Sequence, residues 1–257
     1  MPLNPDTLIV VHCYSDDLVR VQNFLPVFTH HERPILLLSP EDAPVTLEHT
    51  GIAYASAGGK GWKGPQTIHR QVAHWRLALE YEPYAHWFLL NDSDSMCLDP
   101  QLPDYLYADP NMVWANVLCH ENEHQEDDHP NLNPPYFMSR HVLQQLLDKA
   151  EEIREDIPQD AFLEPHDWGQ AIDGFYTHLV SDLLHIPFET YPDGATTWPR
   201  GRQEVLDLTQ KGAIFIHGIK DSQDLGLCLM HHKLWKAMNN PAYEPATGFF
   251  EGDTVTL

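Results

Sequence analysis

The chain has 257 residues, with 38 acidic against 15 basic side chains and a formal charge of −23. That balance weighs against a broad surface tracking a phosphate backbone, so general nucleic-acid binding is not expected. Hydrophobic residues make up 42%, enough for a substantial core, and no stretch reaches the ~18 to 20 apolar residues that span a bilayer.

Met1-Pro2-Leu3-Asn4-Pro5-Asp6 has neither the basic start nor the apolar run of a secretion signal. The expectation is a cytoplasmic protein without a membrane partner, in the host cytoplasm were the protein viral. Cys13, Cys97, Cys119 and Cys228 form no CxxC pair and read as free thiols.

Thr7 to Cys13 is a β-branched apolar run and predicts a first parallel strand. Ser15-Asp16-Asp17 then offers a helix cap, followed by Leu18, Val21, Phe24, Leu25 and Phe28 at helical spacing. Ile35 to Leu38 is a second strand, completing a βαβ unit, and Gly51 to Ser56 a short third. The glycine-rich stretch from Gly58 to Pro65 carries Lys60, Trp62 and Lys63 but lacks P-loop spacing. It reads as a connection whose lysines could reach a diphosphate. Thr67 to Glu82 has helical periodicity through Ile68, Val72, Trp75 and Leu79.

Next comes Trp87-Phe88-Leu89-Leu90-Asn91, an apolar run that stops at Asp92-Ser93-Asp94. A short unbroken run of this kind reads as a strand buried on both faces. Ligands of α/β sheets bind at the carboxyl ends of the strands, where Asp92 and Asp94 would sit. In extended chain the two carboxylates face one point, which suits Mg²⁺ or Mn²⁺ with positions left open for phosphates. Asp-x-Asp also arises as ordinary strand-ending polarity in an acidic chain.

Asn111 to Cys119 predicts another buried strand. His120-Glu121-Asn122-Glu123-His124 follows and is literally HExxH, the zinc-hydrolase signature. The residues around it supply no apolar helix face, and Pro130 follows, so it reads instead as a loop on the acceptor side. Pro134-Pro135 precedes a short Tyr136-Phe137-Met138 run. Ser139 then caps an amphipathic helix burying Val142, Leu143, Leu146, Leu147, Ala150 and Ile153. Ile172 to His185 is another helix, Ala213 to Ile216 a late strand, and Leu225 to Met238 a last helix. The late strand ends in His217-Gly218-Ile219-Lys220. There an imidazole could complete a Mn²⁺ site and Lys220 could meet a departing diphosphate. No repeat or linker divides residues 1–257, which read as one domain.

A hydrophobic strand ending in Asp-x-Asp, a late strand ending in His-Gly-x-Lys and the Phe137-Met138-Ser139-Arg140 segment together resemble nucleotide-sugar glycosyltransferases of the A-type (GT-A) fold. The resemblance implies a single α/β domain with a mixed, mainly parallel sheet flanked by helices on both faces. It implies Mn²⁺ (or Mg²⁺) held by Asp92, Asp94 and His217 and bridging a UDP-sugar diphosphate, with Lys220 and Lys63 on the donor. The nucleoside would lie near His12 and Tyr14. For an inverting reaction the nearest match to the acidic base is Asp173, with Asp167 next. The acceptor would be a hydroxyl of a glycan, small molecule, protein or modified DNA base. Two other classes stay open: a zinc hydrolase built on His120, Glu121 and His124, and a nucleotide- or carbohydrate-binding module without turnover.

Overall fold

The computed structural model describes residues 6–12, 35–39, 52–56, 65–92, 96–97, 102–119, 130–156, 172–191, 203–204, 207 and 215–216. Its strands are β1 (Thr7–His12), β2 (Ile35–Ser39), β3 (Ile52–Ser56), β4 (Trp87–Asp92), β5 (Met96–Cys97), β6 (Val113–Cys119), β7 (Pro130–Ser139), β8 (Phe188–Thr190) and β9 (Phe215–Ile216). Its helices are α1 (Pro65–Tyr81), α2 (Arg140–Glu152) and α3 (Ile172–Thr177), the last running on as a π-helical turn, His178–Leu183. The helices expected after Ser15 and from Leu225 to Met238 lie outside the described residues.

Seven strands form one sheet in the order β3-β2-β1-β4-β7-β6-β8. The β1–β2, β2–β3, β1–β4 and β6–β8 ladders are parallel, while β7 is antiparallel to both β4 and β6. Six strands therefore point one way and β7 alone runs against them, so the sheet is mixed and mainly parallel. β4 is buried on both faces as its sequence predicts, with Phe88, Leu89, Leu90 and Asn91 all shielded from solvent.

All three described helices pack on one face. Leu8 and Val10 of β1, Phe88 and Leu90 of β4, and Tyr136 and Met138 of β7 meet Trp75, Leu143, Leu146, Phe175 and Tyr176 there. The opposite face is buried as well, without a described helix of more than one turn. A 3-10 turn, Asp104–Tyr107, sets Tyr107 edge-on to Trp87 and Phe137 and Tyr105 against Trp114. Helices on both faces are thus seen on one face only among the described residues. None of the described helices is long and apolar enough to cross a membrane.

Three details depart from the expected elements. β7 contains Pro134 and Pro135, joined by a cis peptide bond, where its register with β6 shifts between Trp114 and Asn116, as suits residues that cannot donate to a ladder. Side chains take over some of the pairing: Asn116 Nδ2 donates to the Pro134 carbonyl (2.8 Å) and the Tyr191 hydroxyl to that of Pro135 (2.8 Å). The helix from Ile172 changes winding at His178 and ends at His185, whose φ of 51° is the left-handed cap geometry. Its imidazole bonds the Ser181 carbonyl (2.9 Å). Finally, the described part of the late strand, Phe215–Ile216, joins β5 in a separate two-stranded sheet.

The Phe137-Met138-Ser139-Arg140 segment serves the architecture. Phe137 and Met138 point to opposite faces of the sheet, and the Ser139 hydroxyl caps α2 by accepting from the Val142 N–H. Arg140 closes the far end of α1, donating to the carbonyls of Leu79, Glu82 and Ala85 while its guanidinium lies 5.3 Å from the Phe88 ring. α1 has no basic residue in its own last turn, so Arg140 supplies both the donors and the positive charge that its carbonyl end lacks. Arg140→Ala should lower stability by about 2 kcal/mol, because charge-assisted bonds are lost and carbonyls orphaned. Arg140→Lys should recover less than half, since an ammonium cannot reproduce the fork. Urea unfolding of the two variants checks this.

Candidate functional site

After β3 the chain has moved outward from β1 on one side; α1 then carries it back to β4 on the other side. The strand order reverses between β1 and β4, and such a switch point opens a crevice beyond the carboxyl ends of the strands. The last register pair of the β1–β4 ladder is His12↔Asp92. Two residues singled out from sequence, one for a nucleoside and one for a metal or diphosphate, therefore end neighbouring strands. Partners in a parallel ladder share a face, so both side chains are on the α1 side. His12 is buried, whereas Asp92 is partly open to solvent.

Beneath this pair lies a contact the sequence reading did not contain. His12 and His74, from the middle of α1, are joined Nδ1 to Nδ1 at 2.8 Å. Burial lowers the His12 imidazole to about 3 from an ordinary value of 6.5. Between those two pH values the unfolded chain binds a proton that the folded protein refuses. The stabilisation is complete above about pH 6.5 and is lost as pH falls toward 3, by about 1.4 kcal/mol per unit for one group. His12→Asn should accordingly flatten the pH dependence of the urea midpoint between about pH 6.5 and 5, above the range where ordinary carboxylates titrate.

The segments flanking the two motifs are brought together. Met96, two residues after Asp94 in sequence, pairs with Ile216, the residue before His217, and Cys97 pairs with Phe215. Phe215 packs on Tyr191 (4.8 Å between rings), and Tyr191 donates to the Trp114 and Pro135 carbonyls. This ties the small sheet to the main one. Asp94, His217, Lys220, Tyr14, Lys63 and Asp167 lie outside the described residues. Among the described residues no three His, Cys, Asp or Glu side chains gather around a common point.

Asp173 is the second residue of α3. Thr177, at the end of that helix, accepts from the N–H of Leu132 near the start of β7, while the following turn reaches Ile186 and the start of β6. α3 thus runs away from the carboxyl edge of the sheet, and its first turn, with Asp173, begins on that edge. His120, Glu121 and His124 are outside the described residues. Cys119 and Pro130, which bracket their segment, are ladder partners at the same edge. Asn91, fully buried at the end of β4, holds an amide with no hydrogen-bond partner among the described residues.

His74 was missed because it stands one position before Trp75 inside an apparently apolar stripe. The available signal was polar spacing: Gln71 and His74, both buried and one turn apart near the middle of α1, interrupt a buried face that otherwise holds Ile68, Val72, Trp75, Ala78 and Leu79.

The switch-point sheet with its single reversed strand is a GT-A-like fold. A glycosyltransferase involved in glycosylation of the major capsid of PBCV-1 superposes with a TM-score of 0.51 over 87% of this chain and 99% of its own, at 15% identity. Weaker likenesses are to the glycosyltransferase GlyE of Streptococcus pneumoniae TIGR4 (TM-score 0.46, 13% identity, 91% of this chain, 64% of that one) and to a nucleoside-diphosphate-sugar pyrophosphorylase of Vibrio cholerae RC9 (0.42, 10%, 72% and 91%). No protein-family model matches the sequence. No curated protein matches it either.

Proposed function

We propose that the protein is a metal-dependent glycosyltransferase that moves a sugar from a nucleotide-sugar, taken to be a UDP-sugar, to an acceptor hydroxyl. The observation that carries this reading is the His12↔Asp92 pair at the β1–β4 switch point of a GT-A-like sheet. It puts a carboxylate where an α/β sheet meets its ligand. The donor set fits a divalent cation: Asp92 is a partly open carboxylate, and the strand pair Met96–Ile216 links the chain next to Asp94 with the chain next to His217. Two hard oxygens and an imidazole suit Mn²⁺. When bound there, the cation would neutralise charge on the departing diphosphate, which also explains how a chain of charge −23 accepts an anionic donor.

The chain's own groups would do the rest. Lys220, with Lys63, would add positive charge at the diphosphate as the bond to the sugar breaks. Asp173, on the first turn of α3, would take the proton of the acceptor hydroxyl if the reaction inverts, and Asp167 is the second candidate. The acceptor would be a hydroxyl of a glycan, small molecule, protein or modified DNA base.

A panel of UDP- and GDP-sugars, screened with and without MnCl₂, tests the assignment. At least one donor should raise the melting temperature only with metal and should be hydrolysed slowly to the nucleoside diphosphate in the absence of acceptor. If none binds, the transferase reading fails. Metal-dependent binding with no turnover toward any acceptor would leave the binding-module reading, and peptide hydrolysis abolished by His124→Ala would favour the zinc hydrolase.

A further inference from the structure

The His12–His74 contact is more specific than packing requires. The ring planes are 7° apart, and the 5.0 Å between centroids is nearly used up by the 2.8 Å bond and the ring radii. The imidazoles therefore lie edge to edge in one plane, with the Nδ1–H of one aimed at the in-plane lone pair of the other. Such a bond allows only one Nδ1 to carry a proton. Two neutral rings must then be opposite tautomers, leaving one Nε2–H and one bare Nε2. The bond also decides which way each ring is turned.

The pair's position makes this useful. His12 ends β1 at the switch point, beside Asp92 in the neighbouring strand, and His74 reaches it from the middle of the buried face of α1. For stability alone, two apolar side chains of similar volume would avoid desolvating two imidazoles for a single hydrogen bond. The cost is explained if the orientation of His12 matters to a ligand.

We propose that His74 is a positioning residue for the donor: by bonding His12 Nδ1 it fixes the ring orientation that His12 presents to the nucleoside of the nucleotide-sugar. This rests on the transferase reading above. His74 itself touches no reacting atom.

The bond is made through Nδ1, and that gives a discriminating test. An asparagine amide occupies the place of Nδ1, a glutamine amide that of Nε2, and phenylalanine keeps the ring without either. Isothermal titration with UDP in MnCl₂ and donor kinetics should show His74→Phe weakening UDP binding and raising the donor KM at least tenfold, with kcat within threefold of wild type. His74→Asn should bind within threefold of wild type. His74→Gln should behave as His74→Phe does and carries the test should the latter not fold. Histidine ¹⁵N spectra should show a hydrogen-bonded His12 Nδ1 in the wild type and His74→Asn, and loss of that bond in His74→Phe or His74→Gln. Unchanged UDP affinity in a folded His74→Gln, or failure of His74→Asn to rescue while folded, would overturn the proposal and leave the transferase reading standing. Absence of metal-dependent binding of UDP, GDP and every sugar nucleotide of the panel by the wild type, with its ¹⁵N spectrum showing the bonded pair, would overturn both.

Discussion

Asp94→Ala should abolish the Mn²⁺-dependent stabilisation by UDP and lower kcat/KM for transfer by about 10² to 10³-fold, the scale lost when one electrostatic stabiliser of a developing charge is removed. EDTA should do the same to the wild type, and added MnCl₂ should restore it. The control that gives the result its meaning is His124→Ala. It removes half of the HExxH pair and should leave UDP binding unchanged, because that pair has no part in the proposed donor site. Thermal shift with and without UDP, followed by donor-hydrolysis rates, checks both variants. The expectation follows from where the chain segments go. β5 begins two residues after Asp94 in the sequence and pairs with β9, whose last residue immediately precedes His217. A variant that lost UDP binding through His124 and kept it through Asp94 would transfer the chemistry to the other motif.

Trp75→Ala should be the most damaging single core substitution, destabilising by about 3–5 kcal/mol. In a chain of this size that lowers the melting temperature by very roughly 6–20 °C. Trp75 is fully buried between the sheet and the helices. Its indole meets the Tyr176 ring edge-on at 5.1 Å and lies parallel to Phe175 at 6.4 Å. Tyr176 in turn stacks on Tyr136 at 4.0 Å and its hydroxyl reaches the Met138 sulfur at 3.6 Å. Burial pushes the Tyr176 phenol well above its ordinary range, so the cluster stays neutral. Truncating the indole leaves a cavity that three helices and the sheet would have to collapse around, which close-packed interiors do only in part. Trp75→Phe should cost distinctly less, because the ring contacts survive. Differential scanning calorimetry separates the two.

Elements with unbroken apolar runs were legible because each is a local signal. Thr7 to Cys13, Ile35 to Leu38 and Trp87 to Asn91 all appear as strands within a residue or two of the expected bounds. Ser139 announced α2 through its cap, and the stripe from Val142 to Ala150 is buried as its spacing requires. β5 and β8, of two and three residues, carry too few positions for any periodicity. β7 was underestimated because its prolines argue locally against a central strand, and the side-chain bonds from Asn116 and Tyr191 that compensate come from 18 and 56 residues away.

By itself the sequence determined the parallel pair β1 and β2, the buried strand that delivers Asp92, and the strongly acidic charge balance. These are properties of composition and of neighbours a few positions apart. Only the tertiary structure decided that β7 runs against the other six strands, that Arg140 closes α1 rather than its own helix, and that His74 meets His12. Each of those depends on which residues distant in the chain come within hydrogen-bond reach, and that is fixed by packing the whole sheet and its helices together, not by any local pattern.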